Sequence, residues 1–291
     1  MPTRDRINVV AERLYEALLR IPARRKLTQL EPRTAECMSI KSSLLSTLNG
    51  VYSVQEQEWI DRIEARRKEL SSSREELTIT DYGTGNQLLD RTEEEMRRGT
   101  QTRKTVSRVY RTTSVPAFWS SVLFRLVREM KPRICLELGS GSGISGCYHA
   151  AALKLNGKGT LVTLEGAAAL AAVAEKGFQL LNLDNAVVVP GRFQDTLSEV
   201  LHQYAPIDYA FIDGHHDGSA TQKYFEQIAA ASAETALFVF DDISWSKSMK
   251  QAWHNILLDE KIRLSFDLGG MGICLLSRRI DTRQHIQIFL R

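Results

Sequence analysis

Ten residues near the middle of the chain constrain its fold more than any others. Ile134-Cys135-Leu136-Glu137-Leu138 is a short apolar run with the character of a buried strand, and it leads into Gly139-Ser140-Gly141-Ser142-Gly143. The stretch after it, from Ile144 to Leu155, can form a helix. Glycine is needed in such a turn because the chain must bend sharply and approach a ligand closely, which a Cβ would block. Backbone N–H groups of the turn and of the helix N-terminus then face the bound molecule.

The next apolar run, Thr160 to Leu164, ends in Glu165 and Gly166. A carboxylate at that point can accept both hydroxyls of a nucleoside ribose. The spacing Gly139-x-Gly141-x-Gly143 places Ile144 where a dinucleotide fingerprint needs a small residue. S-adenosylmethionine (SAM) carries no pyrophosphate, so a loop that binds it has no need of that small residue. The loop therefore favours SAM over NAD, with Glu137, Gly139, Ser140, Gly141, Gly143, Glu165 and Gly166 as its candidate contacts.

Around this loop, strand-like and helix-like runs alternate, the pattern of a parallel sheet covered on both faces. Expected strands are Ile134–Leu138, Thr160–Leu164, Ala186–Val189, Tyr209–Ile212, Leu237–Phe240, Arg263–Asp267 and Gly272–Leu276. Gly269-Gly270 turns the last two into an antiparallel hairpin, and His285–Leu290 offers a further edge strand. A helix over Val115–Met130 leads into the sheet, with Phe118, Val122, Leu123, Leu126 and Val127 facing inward.

The front of the chain reads as helical. Ile7, Val10, Leu14, Leu18 and Ile21 share one face of a helix that Pro22 is expected to end. A second helix spans Ser39 to Leu48 and stops at Asn49-Gly50. A third starts at a capping box of Ser53 and Glu56, with Trp59, Ile60 and Ile63 as its buried stripe, and breaks at Ser71-Ser72-Ser73. This divides the chain into a helical region over 1–75, a connecting segment with the leading helix over 76–132, and a nucleoside-binding domain over 133–291. Leu77 to Gly85 also looks like a strand entering a glycine turn. No packing helix or acid-ended strand follows it, so it reads as a substrate-side loop or a plain turn.

Polar residues gather at the expected carboxyl ends of the strands, where open α/β sheets bind ligands. Gly191-Arg192-Phe193 follows the third strand on the adenine side, where Phe193 either covers the ring or packs into the core. Asp213-Gly214-His215-His216 follows the fourth, and Asp241-Asp242 the fifth. Three carboxylates there repel one another unless a cation sits among them, and Mg²⁺ accepts such oxygen ligands. The other reading gives Asp213 to the amino group of SAM and Asp241-Asp242 to a helix cap, with no metal. His215 and His216 are candidate general bases, since an imidazole titrates near neutral pH. His149, in the loop's helix, reads as structural.

Charge is uneven along the chain. Residues 1–133 carry 25 Lys and Arg against 18 Asp and Glu, and the remainder 13 against 17. The excess reads as a solvated basic face, or as a grip for an acidic peptide. Basic residues without interleaved aromatics, and no motif for a flipped base, argue against nucleic acid. No apolar run approaches the length of a membrane span, and the N-terminal residues lack the apolar core of a secretion signal. The four cysteines show no metal spacing, and Cys135 and Cys274, in apolar strand-like runs, read as core residues. The expected location is cytoplasmic.

Taken together, Glu137-x-Gly139-x-Gly141, Glu165, Phe211-Ile212-Asp213-Gly214-x-His216 and Phe240-Asp241-Asp242-Ile243 resemble the class I SAM-dependent methyltransferases. Within them the pattern is similar to the catechol O-methyltransferase-like group, over roughly 133–279. The resemblance implies an α/β Rossmann-like fold: a seven-stranded, mostly parallel sheet with a C-terminal antiparallel hairpin, here with an N-terminal helical extension. It implies a SAM pocket at Gly139, Gly141 and Glu165, and Asp213, Asp241 and Asp242 as Mg²⁺ ligands. The chain departs from the pattern at Arg192, where an acid is common, and at Asp242, where Asn is usual.

The expected activity is O-methylation of a hydroxyl or carboxylate on a small molecule, with His216 or His215 taking the proton and Asp213 beside them. A peptide acceptor, an NAD-linked oxidoreductase and a non-catalytic SAM-binding module are the alternatives. A Trp59 face exposed to solvent would suit a homodimer.

Overall fold

The structure is a computed structural model, and it describes residues 20–82 and 98–290. The helix expected over residues 7–21 lies largely outside them. Residues 20–29 are helical (α1), so Pro22 does not end that helix. Proline's locked φ is itself a helical value, and the turns after it close normally. Helix α2 (Ala35–Asn49) begins at an N-cap from Thr34 and ends at Gly50, in the left-handed conformation at φ 62°. Helix α3 (Val54–Ser72) has both bonds of its capping box: Glu56 N–H donates to Ser53 Oγ, and Ser53 N–H to Glu56 Oε2.

The run around Leu77 corrects the expectation of a plain turn. Glu76–Asp81 is a strand (β1) that pairs antiparallel with Thr100–Thr105 (β2), Glu76 opposite Thr105 and Asp81 opposite Thr100. Gly83 and Gly85 lie outside the described residues. The helices α4 (Val106–Thr113) and α5 (Ala117–Met130) follow, and α5 matches the expected leading helix.

The rest of the chain alternates as expected: β3 (Ile134–Leu138), α6 (Ile144–Leu155), β4 (Thr160–Glu165), α7 (Ala168–Leu181), β5 (Ala186–Pro190), α8 (Phe193–Tyr204), β6 (Ile207–Ile212), α9 (Gly218–Ala230), β7 (Ser232–Phe240), α10 (Lys247–Leu258), β8 (Ile262–Asp267), β9 (Gly272–Ser277) and β10 (Gln284–Gln287). Among the described residues the sheet has eight strands, in the order β10-β8-β9-β7-β6-β3-β4-β5. Strands β5 to β7 run parallel with β3 and β4, β9 is antiparallel to β7 and β8, and β10 pairs parallel with β8. The expected seven strands gain β10, which is shorter than the His285–Leu290 run anticipated for it.

Alternation along the strands sends neighbouring residues to opposite faces. Cys135, Leu161, Tyr209, Phe211, Leu237 and Val239 join one core layer, which α2, α3, α5 and α6 also fill. Leu136, Leu138, Val162, Leu164, Ala210, Ile212, Phe238 and Phe240 join the other, beneath α8, α9 and α10. The front helices thus share a core with the sheet: Ile40, Leu44 and Ile63 are fully buried within it. Trp59, expected in the buried stripe of its helix, is half-buried against that core, with the Arg62 guanidinium 4.1 Å from its ring centroid.

Charged groups at this junction are paired. Glu56 takes Arg125 Nη1 at 2.8 Å and Arg128 Nε at 3.1 Å. Burial pushes its carboxyl up, yet the Ser53 N–H and the two guanidiniums outweigh that and hold it below the usual value. Arg67, half-buried, donates to Glu64, the Val115 carbonyl and Ser120. All four cysteines are buried and free. No helix among the described residues is long and apolar enough to cross a membrane.

Candidate active site

The chain leaves β3 for β4 on one side and returns as β6 on the other, so the crevice at the carboxyl ends of β3 and β6 is a topological switch point. The glycine loop sits there. Gly139 and Ser140 N–H both donate to the Leu164 carbonyl, and Gly143 N–H to the Ser140 carbonyl at 2.7 Å. Gly139, at φ 105°, is the least replaceable: a Cβ on it would lie 2.0 Å from the Asp213 carbonyl oxygen. Gly143 is the N-cap of α6, and no side chain caps it. The buried first turn of that helix thus takes no side-chain cap at its N-terminus, the end of a helix that suits a polar or anionic ligand.

Glu165 ends β4 beside the loop. Its Oε2 accepts from Gly141 N–H at 2.8 Å and its Oε1 from Ala167 N–H at 2.9 Å. Burial raises its carboxyl, against those two N–H bonds, and the charge of Glu137 adds to the rise. The expected ribose ligand is thus also the clamp that holds the loop to the start of α7. Ser114, just before α5, adds a second clamp through its hydroxyl, 2.7 Å from that of Ser142.

Glu137 does not line the crevice as expected. It is fully buried, its Oε2 accepting from Thr163 Oγ1 at 2.6 Å and its Oε1 3.4 Å from His149 Nδ1. Ser140 Oγ continues this chain at 2.5 Å from Thr163 Oγ1. A strand residue next to an inward position points to the opposite face, which puts Glu137 under the loop. His149, read as structural, is fully buried there with its Nε2 3.3 Å from Tyr209 Oη.

The next strand ends carry the remaining candidates. Phe193 packs against Gly214, where a Cβ would meet the ring at 2.7 Å, and against Tyr224 at 5.7 Å. Arg192 is held by Asp195 at 2.6 Å, and its guanidinium lies 5.6 Å from the centroid of the Tyr82 ring. Tyr82 was missed in the sequence because its neighbours in space are far from it along the chain.

His215 and His216 both take positive φ, 71° and 39°, and Asp242 takes 54°. Non-glycine residues held in that region store backbone strain, which the surrounding packing must over-determine. The turn aims the two imidazoles apart. His215 Nδ1 meets Tyr224 Oη at 2.9 Å, while His216 Nδ1 lies 3.4 Å from Asp242 Oδ2. Burial lowers both imidazoles below their usual value, which keeps them neutral and able to accept a proton at pH 7. Trp245, exposed, stands 6.2 Å from the His216 ring.

Asp213 and Asp241 behave as crowded acids. Burial, then the charges of Asp241 and Asp242, push Asp213 well above the usual carboxylate range. Burial and Asp242 push Asp241 up to about 7. Yet Asp241 Oδ1 accepts from Asp242 N–H at 2.9 Å, and Asp242 turns to His216. Among the described residues no three acidic, histidine or cysteine side chains converge so as to hold a metal. The expected Mg²⁺ set of Asp213, Asp241 and Asp242 is therefore not assembled, and no step is derived through a metal.

An acid whose folded pKa is raised costs stability once ionised. The cost is nil below the unfolded value near 4 and grows as pH climbs to about 7. Asp241→Asn is accordingly expected to stabilise the protein on the order of 2 kcal/mol at pH 8 and hardly at all at pH 4. Denaturant titrations across that range check it, and a gain independent of pH counts against the crowding.

Residues 136–243 match the family model described as a methyltransferase domain. No curated protein matches the chain. Among solved structures, the O-methyltransferase from Bacillus cereus in complex with SAH is 23% identical at a TM-score of 0.50, covering 57% of this chain and 83% of that one. The SAH-bound Podospora anserina methyltransferase PaMTH1 is 16% identical at a TM-score of 0.50, covering 57% of this chain and 80% of that one. The stretch 136–243 that resembles a methyltransferase domain contains the glycine loop, Glu165, Asp213 and Asp241-Asp242, and the two solved structures share its fold.

Proposed function

We propose that the chain is a SAM-dependent O-methyltransferase whose acceptor is a hydroxyl on a small molecule. The observation that carries this reading is the joint placement of the loop at 139–143, the uncapped N-terminus of α6 and Glu165 at one crevice of a methyltransferase domain. The residues fit the cofactor. Gly139 leaves a cradle that a side chain would fill, and Glu165 can exchange its Gly141 bond for ribose hydroxyls. The solved relatives from Bacillus cereus and Podospora anserina carry SAH, the product such a transfer leaves.

SAM supplies a methyl group on a sulfonium, which an oxygen displaces directly. The chain's part is to align that oxygen and to take its proton, and alignment alone accounts for much of the rate. His216, neutral and steadied by Asp242 at Nδ1, is the base, with the proton passing to its Nε2. As the O–CH₃ bond forms, the S–CH₃ bond breaks and SAH leaves. Asp213, beside the loop, is suited to the amino group of the cofactor. Trp245 offers the acceptor an apolar surface next to His216.

Isothermal titration tests the reading. SAH is expected to bind the intact protein, and NAD to give no heat. Glu165→Ala is expected to weaken SAH about tenfold or more, from lost charge-assisted bonds. Heat from NAD but none from SAH would overturn the assignment in favour of an oxidoreductase.

A further inference from the structure

Two glycines far apart in sequence flank one aromatic ring. Tyr82 follows strand β1, and a Cβ on Gly99 would meet its Cδ1 and Cε1 at 2.9 Å. On its other side, a Cβ on Gly166 would meet its Cδ2 at 3.6 Å. Gly166 is the residue after Glu165, and Arg192 follows the end of β5. With the Arg192 guanidinium 5.6 Å from its centroid, the Tyr82 ring reaches across the neighbouring ends of β4 and β5.

The ring is held there by a built arrangement. Ile79 of the ribbon β1–β2 is buried together with Val109 of α4 and with Ala167 and Leu170 at the start of α7. Arg192 is steadied from behind by Asp195. Gly99, at φ 72°, already has its backbone against the ring, so neither side leaves Tyr82 free to turn away.

We propose that Tyr82 is a binding residue for the adenine of the cofactor: its ring forms the outer wall of the base site, supplied by the β1–β2 ribbon from outside the methyltransferase domain. This rests on the reading of Glu165 as the ribose ligand, because the base attached to that ribose must lie along Gly166 and Arg192. Phe193, the aromatic that sequence suggested for this task, is committed to Gly214 and Tyr224. A flat ring serves here because its face attracts a nucleobase through stacking, and its small number of rotatable bonds limits the entropy lost. Arg192 adds a cation at the same wall, which suits the electron-rich face of the tyrosine.

The test is titration of SAH into the full-length wild type and into Tyr82→Phe, Tyr82→Leu and Tyr82→Ala, with thermal melts of each variant without ligand. Tyr82→Phe is expected to bind within about twofold of wild type, and Tyr82→Leu and Tyr82→Ala about tenfold or more weakly. Adenosine is the second probe, and its affinity is expected to fall with that of SAH. Tyr82→Trp gives an independent readout, since its indole emission should change on adding SAH. SAH binding by Tyr82→Leu at wild-type strength, with an unchanged melt, would overturn the role of Tyr82 while leaving the SAM assignment standing. Failure of wild type itself to bind SAH would overturn both.

Discussion

Gly139→Ala is expected to abolish SAH binding and to cost about 3 kcal/mol or more of folding stability. Two independent penalties meet at this position. Its φ of 105° lies where L side chains are strained, and the added Cβ would sit 2.0 Å from the Asp213 carbonyl oxygen. That oxygen belongs to backbone anchored by Asp213 N–H to the Leu138 carbonyl at 2.9 Å, so it cannot move aside without opening the junction of β3 and β6. Gly141→Ala is the matched control. Its φ of 50° is within the left-handed region that alanine tolerates at roughly 1 kcal/mol, and its nearest neighbour, Thr113 Oγ1, is 3.5 Å away. Chemical denaturation and SAH titration of the two variants should therefore rank them far apart. Equal behaviour would mean that the loop is not the rigid cradle described above.

His216→Asn is expected to lower kcat by about 10²- to 10⁴-fold, the range for loss of a general base, with SAH affinity unchanged. The imidazole's ionisation also predicts the pH profile. Burial sets its pKa below the ordinary value near 6.5, so activity should rise with pH through a limb on the acid side of that value and be flat above it. The asparagine variant should lose that limb. His215→Asn, which removes only the contact with Tyr224, should keep it. Undiminished turnover in His216→Asn would point to an acceptor that is already ionised, such as a carboxylate, which needs no base. The three carboxylates leave a separate check, because turnover is expected to survive chelation of divalent ions, consistent with Asp242 facing His216.

Much of this protein could be read from local pattern. Each of the seven expected strands from Ile134 to Leu276 lies within an observed one, because a strand buried on both faces is an uninterrupted apolar run and glycine, proline or polar residues end it. The loop at Gly139 was legible because positive φ demands glycine, and the start of α3 because Ser53 and Glu56 satisfy each other's backbone. Those are interactions within a few residues, or consequences of backbone sterics, and composition at a site states them directly.

What lay beyond the sequence depended on contacts between distant segments. The pattern of charges around 213 and 241–242 suggested a metal centre, but whether acids converge is set by which way each turn points its side chains, and His216 claims Asp242. Glu137 was grouped with the ligand contacts for its place in the motif, yet strand parity turns it beneath the loop toward Thr163 and His149. The β1–β2 ribbon is too polar to announce itself, and only its pairing and its seat on α7 make it a strand pair. Tyr82 meets Gly166 for the same reason. The sequence by itself determined the strand order's raw material, the glycine bend and the acid that closes it, since backbone geometry and apolar periodicity are local. Tertiary structure alone decided which aromatic faces the crevice and which base has a partner, since those follow from packing that brings Tyr82 to Gly166 and His216 to Asp242, residues on different elements, within a few ångströms.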